Sequence, residues 1–130
     1  MSWKSVVKQI IRNFRDRRAG LVPGGCPLLN TAIDADDGNP HLRAKARQAL
    51  SSWLDRLESI AKEGQRRNEI RSDVDSAKLS TLIASTLEGS LMVDRLQKKE
   101  EPVDLACRHL EEYLDLNVRT RKSKTGVGTS

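Results

Sequence analysis

The sequence predicts an all-α fold, one antiparallel helical domain of about five helices. Three observations carry that reading. Aliphatic residues return at three- and four-residue intervals through most of the chain, the period of a helix with one buried stripe. Charged residues make up 32% of the 130 residues and aromatic residues only 3%, so the core must be built from Leu, Ile, Val and Ala. Glycine and proline gather at a few breaks, chiefly Gly20 to Pro27 and Gly38 to Pro40. A chain of this length makes one domain, not two. Its two cysteines, Cys26 and Cys107, are too few for a disulfide framework and read as reduced or buried thiols. No apolar run approaches the roughly 18 residues that cross a bilayer. The apolar residues from Met1 to Arg18 are spaced rather than blocked, unlike a signal peptide, and a cytoplasmic location is expected.

The first segment places Trp3, Val6, Val7, Ile10, Ile11 and Phe14 on one helical face and Lys4, Lys8, Arg12 and Arg15 on another. After the Gly20–Pro27 break, a short helix is expected from Pro27. Leu28, Leu29, Ala32, Ile33 and Ala35 are its apolar positions, and Gly38 closes it. Asn39 and Pro40 supply an N-cap and a first-turn proline. From there Leu42, Ala46, Ala49, Leu50, Trp53, Leu54, Leu57, Ile60 and Ala61 keep helical period to Gly64. A polar connection over 68–73 precedes a helix capped by Asp75 or Ser76. That helix carries Leu79, Leu82, Ile83, Leu87, Leu91, Val93 and Leu96, with Ala84, Ser85, Gly89, Ser90 and Met92 on further faces. Its apolar circumference exceeds what one core needs. Pro102 opens the last helix, with Val103, Ala106, Cys107, Leu110, Tyr113, Leu114 and Leu116 as its stripe. The domain is read as residues 1–118 and the basic stretch 119–130 as a disordered tail.

The net charge of +5 divides unevenly, with +5 on residues 1–18, −4 on 19–118 and +4 on 119–130. An acidic body would repel phosphate, so attraction to nucleic acid or membrane would have to come from the ends. That leaves one alternative function, a helical adaptor docking on an anionic membrane or nucleic acid through the basic first helix. Catalysis is poorly supplied. His41 and His109 lack a second ligand at helical spacing, and Cys107, two residues from His109, lies on another face. Asp34–Gly38 fails as a calcium loop, because Gly38 falls at position five and Lys45 at twelve. No glycine pattern matches a nucleotide fingerprint. No enzyme activity, metal or cofactor is therefore expected. Glu88, mid-helix in Leu87-Glu88-Gly89-Ser90-Leu91, is solvated, paired, or a ligand contact.

Three stretches in order carry a resemblance: Gly25-Cys26-Pro27-Leu28-Leu29-Asn30-Thr31-Ala32-Ile33-Asp34-Ala35-Asp36-Asp37-Gly38-Asn39-Pro40; then Glu63-Gly64-Gln65 leading to Glu69-Ile70-Arg71-Ser72-Asp73-Val74-Asp75; then Thr86-Leu87-Glu88-Gly89-Ser90-Leu91-Met92. Together they resemble the C-terminal effector-binding and dimerisation domain of the TetR/AcrR family of transcriptional regulators, over about Phe14 to Leu116. The resemblance implies a ligand-sensing domain whose last two helices form a four-helix interface in a homodimer, around a pocket for a small hydrophobic effector. Carried onto this sequence, interface contacts fall on Leu82, Thr86, Gly89, Ser90, Val93, Leu110, Tyr113 and Leu114. Pocket contacts fall on Leu29, Asn30, Ile33, Trp53, Leu57 and Glu88. Family members begin with a helix-turn-helix domain, and no recognition-helix sequence stands here. The expectation is a chain without specific DNA binding of its own, through truncation, a misplaced start or a stand-alone existence, and able to form a heterodimer with a full-length regulator.

Overall fold

A computed structural model describes residues 3–18, 40–99 and 101–120, and within the first helix the side chains of residues 5–12. Four α-helices are present among the described residues: α1 (Trp3–Arg18), α2 (Pro40–Arg66), α3 (Ser76–Gln97) and α4 (Glu101–Tyr113), followed by a π-turn over Leu114–Val118. The expected helix from Pro27 to Gly38 lies outside the described residues, as does the tail beyond Thr120. No described helix is long and apolar enough to cross a membrane.

Helices α2, α3 and α4 run antiparallel in sequence, and α1 packs against all three. Apolar periodicity turns one face of each inward. Val7 and Ile11 enter from α1, and Leu57 and Ala61 from α2. Leu79, Ile83, Leu87 and Leu91 enter from α3, and Val103, Cys107 and Leu110 from α4. Removing these side chains from water is the main force holding the bundle. Two serine hydroxyls are satisfied inside the bundle. The Ser80 hydroxyl donates to the Leu54 carbonyl at 2.7 Å, joining α3 to α2, and the buried Ser90 hydroxyl donates to its own helix at Leu87, 2.8 Å.

The helix ends explain the boundaries. Helix α2 passes Gly64, where the sequence suggested a stop, because the left-handed residue is Asn68 (φ 60°). Asn68 N–H donates to Gln65 O at 3.0 Å and Glu69 N–H to Gly64 O at 2.8 Å, closing a Schellman motif. Asp75 caps α3, accepting from the Ala77 and Lys78 N–H groups at 3.0 and 3.1 Å. The end of α3 repeats the left-handed device at Lys98 (φ 55°), whose N–H donates to Asp94 O. The π-turn corrects the last stripe. Leu116 was expected inside, but the widened turn puts Val118 in the core below Leu114 and leaves Leu116 62% exposed.

Candidate functional site

Among the described residues, exposed apolar side chains concentrate on the outer side of the α3–α4 hairpin. On α3, Leu82, Ser85, Gly89, Met92, Val93 and Leu96 are exposed along one helical row with half-buried Thr86, and Leu96 is 76% exposed. On α4 the row is Leu105, Arg108, His109, Glu112, Tyr113 and Leu116, with Leu105 51% exposed. Among the described residues, seven of the nine large exposed hydrophobic residues sit on this hairpin or the π-turn that extends it. Contiguous exposed apolar patches are characteristic of interaction surfaces.

Asp94 holds the hairpin's angle. One carboxylate oxygen accepts the Val103 N–H at 3.0 Å, near the start of α4, while its backbone oxygen accepts from Lys98 and Lys99 at the end of α3. The opposite end is tied as well. Arg71 N–H donates to Val118 O at 3.0 Å and Thr120 N–H to Glu69 O at 2.9 Å, an antiparallel bridge between Ile70 and Arg119. Gln65 Nε2 donates to the carbonyls of Arg71 and Val74 at 3.1 and 2.7 Å. Arg71 grips Asp73 through two nitrogens, at 3.0 and 2.5 Å, and reaches the Asn117 carbonyl at 3.3 Å. The Arg71 hydrogen bond, followed by its charge, holds the exposed Asp73 carboxyl below its ordinary 3.8. The stretch read as a polar connection is thus a built clamp with Ile70 in the core. Arg119 and Thr120 belong to it rather than to a loose tail.

The residues singled out in the sequence divide by burial. Leu82, Gly89, Val93 and Tyr113 lie exposed on the hairpin's outer face, with Thr86 half-buried beside them. Leu110, Leu114 and Ser90 are buried in this chain's own core, Leu110 at 2% exposure, so they cannot form the outer surface. Met92, Leu96, Leu105 and Leu116 take that role instead. Leu105 had no visible signal, since it falls off the α4 stripe.

Of the pocket residues, Leu29, Asn30 and Ile33 lie outside the described residues. Leu57 is core, and Trp53 packs half-buried against it. Glu88 is half-buried with its Oε2 shielded from solvent. Ser80 bonding Leu54 and Ser76 bonding Glu58 set the level of α3 on α2. Counting along that pair puts Glu88 level with Ala46, about 10 Å along the axis from Trp53 and farther from Leu57. The described structure therefore does not gather these three at one level. Among the described residues no three His, Cys, Asp or Glu side chains group as a metal site, and Cys107 is a buried free thiol.

Comparison with known proteins adds the family. Residues 4–110 match the family described as tetracyclin repressor-like, C-terminal domain. A TetR transcriptional regulator from Chloroflexus aurantiacus J-10-FL is 35% identical with a TM-score of 0.86, covering 93% of this chain and 62% of that one. A TetR-family transcriptional regulator from Cytophaga hutchinsonii is 29% identical with a TM-score of 0.80, covering 94% of this chain and 61% of that one. No curated protein matches. The chain spans about three fifths of the length of both solved relatives. The matched residues take in α1 to α3 and most of α4, and on that likeness in sequence and in fold the chain belongs to the TetR family of transcriptional regulators, in the part that forms their C-terminal domain.

Proposed function

We propose that this chain supplies the dimerisation and effector-sensing part of a TetR-type regulator. The observation that carries the reading is the exposed apolar face of α3–α4, formed by Leu82, Met92, Val93, Leu96, Leu105, Tyr113 and Leu116. A helix pair with apolar residues on its inner and outer sides fits the middle of a four-helix interface between two copies. Effector sensing rests on weaker support. The amino-terminal half of α2 exposes Leu42 and Leu50 and leaves Trp53 half-buried, while Glu88 offers a shielded carboxylate on α3. A small hydrophobic effector would bind among apolar walls with a few polar contacts. Leu29, Asn30 and Ile33 remain proposed walls on the same reading. In a full regulator, the pairing would set the spacing of two DNA-binding units, and the effector would bias it.

Native mass by light scattering over a dilution series tests the pairing. The expected result is a species of twice 14.5 kDa, with Leu96→Asp shifting it to monomer while circular dichroism stays helical. A wild-type chain that is monomeric at every concentration overturns the reading. Effector capture is followed by Trp53 emission in a Trp3→Phe background, with anilinonaphthalene sulfonate as the apolar probe. Emission unchanged on saturation counts against a site beside Trp53. Docking through the basic first helix would instead weaken steeply with salt, and no structural feature favours it over the apolar face.

A further inference from the structure

Resting on the dimer reading above, we propose that the two copies pair in one defined pose, with a two-fold axis crossing the hairpin perpendicular to its helices at the level of Gly89. In that pose α3 lies antiparallel against the partner's α3, and α4 against the partner's α4.

The outer row of α3 is symmetric about Gly89. Leu82 and Leu96 lie seven residues to either side, two helical turns each way, so a reversed copy sets Leu82 on the partner's Leu96 and Gly89 on the partner's Gly89. A mid-helix glycine is unfavourable relative to alanine. Nothing inside this chain asks for it, because a methyl built at Gly89 meets no atom within 4 Å. Close approach of two backbones at a crossing point supplies the reason that the single chain lacks.

The outer row of α4 is also self-complementary when reversed. Leu105 then faces the partner's Leu116, and Arg108 faces the partner's Glu112, each pair made twice by symmetry. All four residues are exposed. A parallel arrangement would set Arg108 on its own copy and Glu112 on its own copy, like against like. Seating α4 on the partner's α3 would press Arg108 and Glu112 against Leu82, Ser85, Thr86, Gly89, Met92, Val93 and Leu96, a row with no charge. Of these three arrangements, only the antiparallel α4 pair sets each charge against an opposite charge of the partner.

The two centres coincide. The Asp94–Val103 bond fixes the level of one helix against the other. Counting from it along the antiparallel hairpin brings Gly89 level with Arg108, about 3 Å along the axis from the midpoint between Arg108 and Glu112. One axis therefore serves both helices.

Two experiments on the full chain test the pose, both in a Cys26→Ser background. Gly89→Cys should cross-link to its own copy under mild oxidation, giving a covalent species of twice 14.5 kDa. Ser85→Cys, displaced from the axis, should cross-link far less. Arg108→Glu and Glu112→Arg should each raise the dimer dissociation constant roughly tenfold, and the double swap should restore it. A dimer that persists without Gly89→Cys cross-linking and without rescue by the double swap overturns the pose and leaves dimerisation standing. A wild-type chain that never dimerises overturns both.

Discussion

Asp94 serves two helices at once, taking the Val103 N–H in the first turn of α4 on its carboxylate and the Lys98 and Lys99 N–H groups just past α3 on its backbone oxygen. Losing that carboxylate orphans a buried N–H at Val103. Asp94→Ala is expected to cost about 1–2 kcal/mol, and Asp94→Asn, which can still accept, much less; urea unfolding would read both. Asp73 acts differently because it is exposed. Its carboxyl sits below the ordinary 3.8 owing to Arg71, so the contact stabilises the fold above that value and is lost as pH falls through the lower folded one. The stability difference between wild type and Asp73→Asn should therefore be constant around neutrality and shrink below pH 3.8. An unchanged difference in strong acid would mean that Arg71 does not depend on the charge. Gln65 completes this neighbourhood by bonding two carbonyls of the same connection.

Within α3, Gly89 weakens a helix whose neighbours are otherwise good packers. Gly89→Ala should raise the stability of the isolated chain by about 0.5–1 kcal/mol, since the site is open, while weakening any pairing that brings two backbones together there. Thermal melts at low and high concentration would separate the two effects, and a rise in both would deny Gly89 a role in pairing. Helix starts were legible because their signals are local: Pro40 opens α2 and Asp75 caps α3 with its own side chain. Helix ends were less so. Gly64 looked like a stop, yet the left-handed turn was made by Asn68, a residue that tolerates that conformation less visibly in sequence. The outer face was half legible for a related reason. Period alone shows that α3 has two apolar faces without saying which turns inward, so among the residues expected at the interface Leu82 and Val93 are exposed in this chain while Ser90 and Leu110 are buried. Val118 takes the core place expected of Leu116, because a π-turn has no periodic signature in five residues. The pocket was least legible, since Trp53, Leu57 and Glu88 come from faces whose levels only packing decides.

At the scale of the whole molecule, the basic first helix lies at one end of the sequence, and most of the exposed apolar side chains among the described residues belong to the last two helices and the turn after them. Helical hairpins fold through local contacts, but the Ile70–Arg119 bridge joins residues far apart in sequence and must wait for α3 and α4. The amides of Arg71 and Thr120, which donate across that bridge, should exchange hydrogen as slowly as the hairpin's inner amides. Ile70→Ala should speed them together. Fast exchange at Thr120 in the wild-type chain would show that the clamp opens on its own. The clamp also has a mechanical meaning. With Asp94 locking one end of the hairpin and the Ile70–Arg119 bridge the other, α3 and α4 behave as a closed frame. A push delivered through α2 can tilt that frame as a body against its copy, yet it cannot spread the two helices apart.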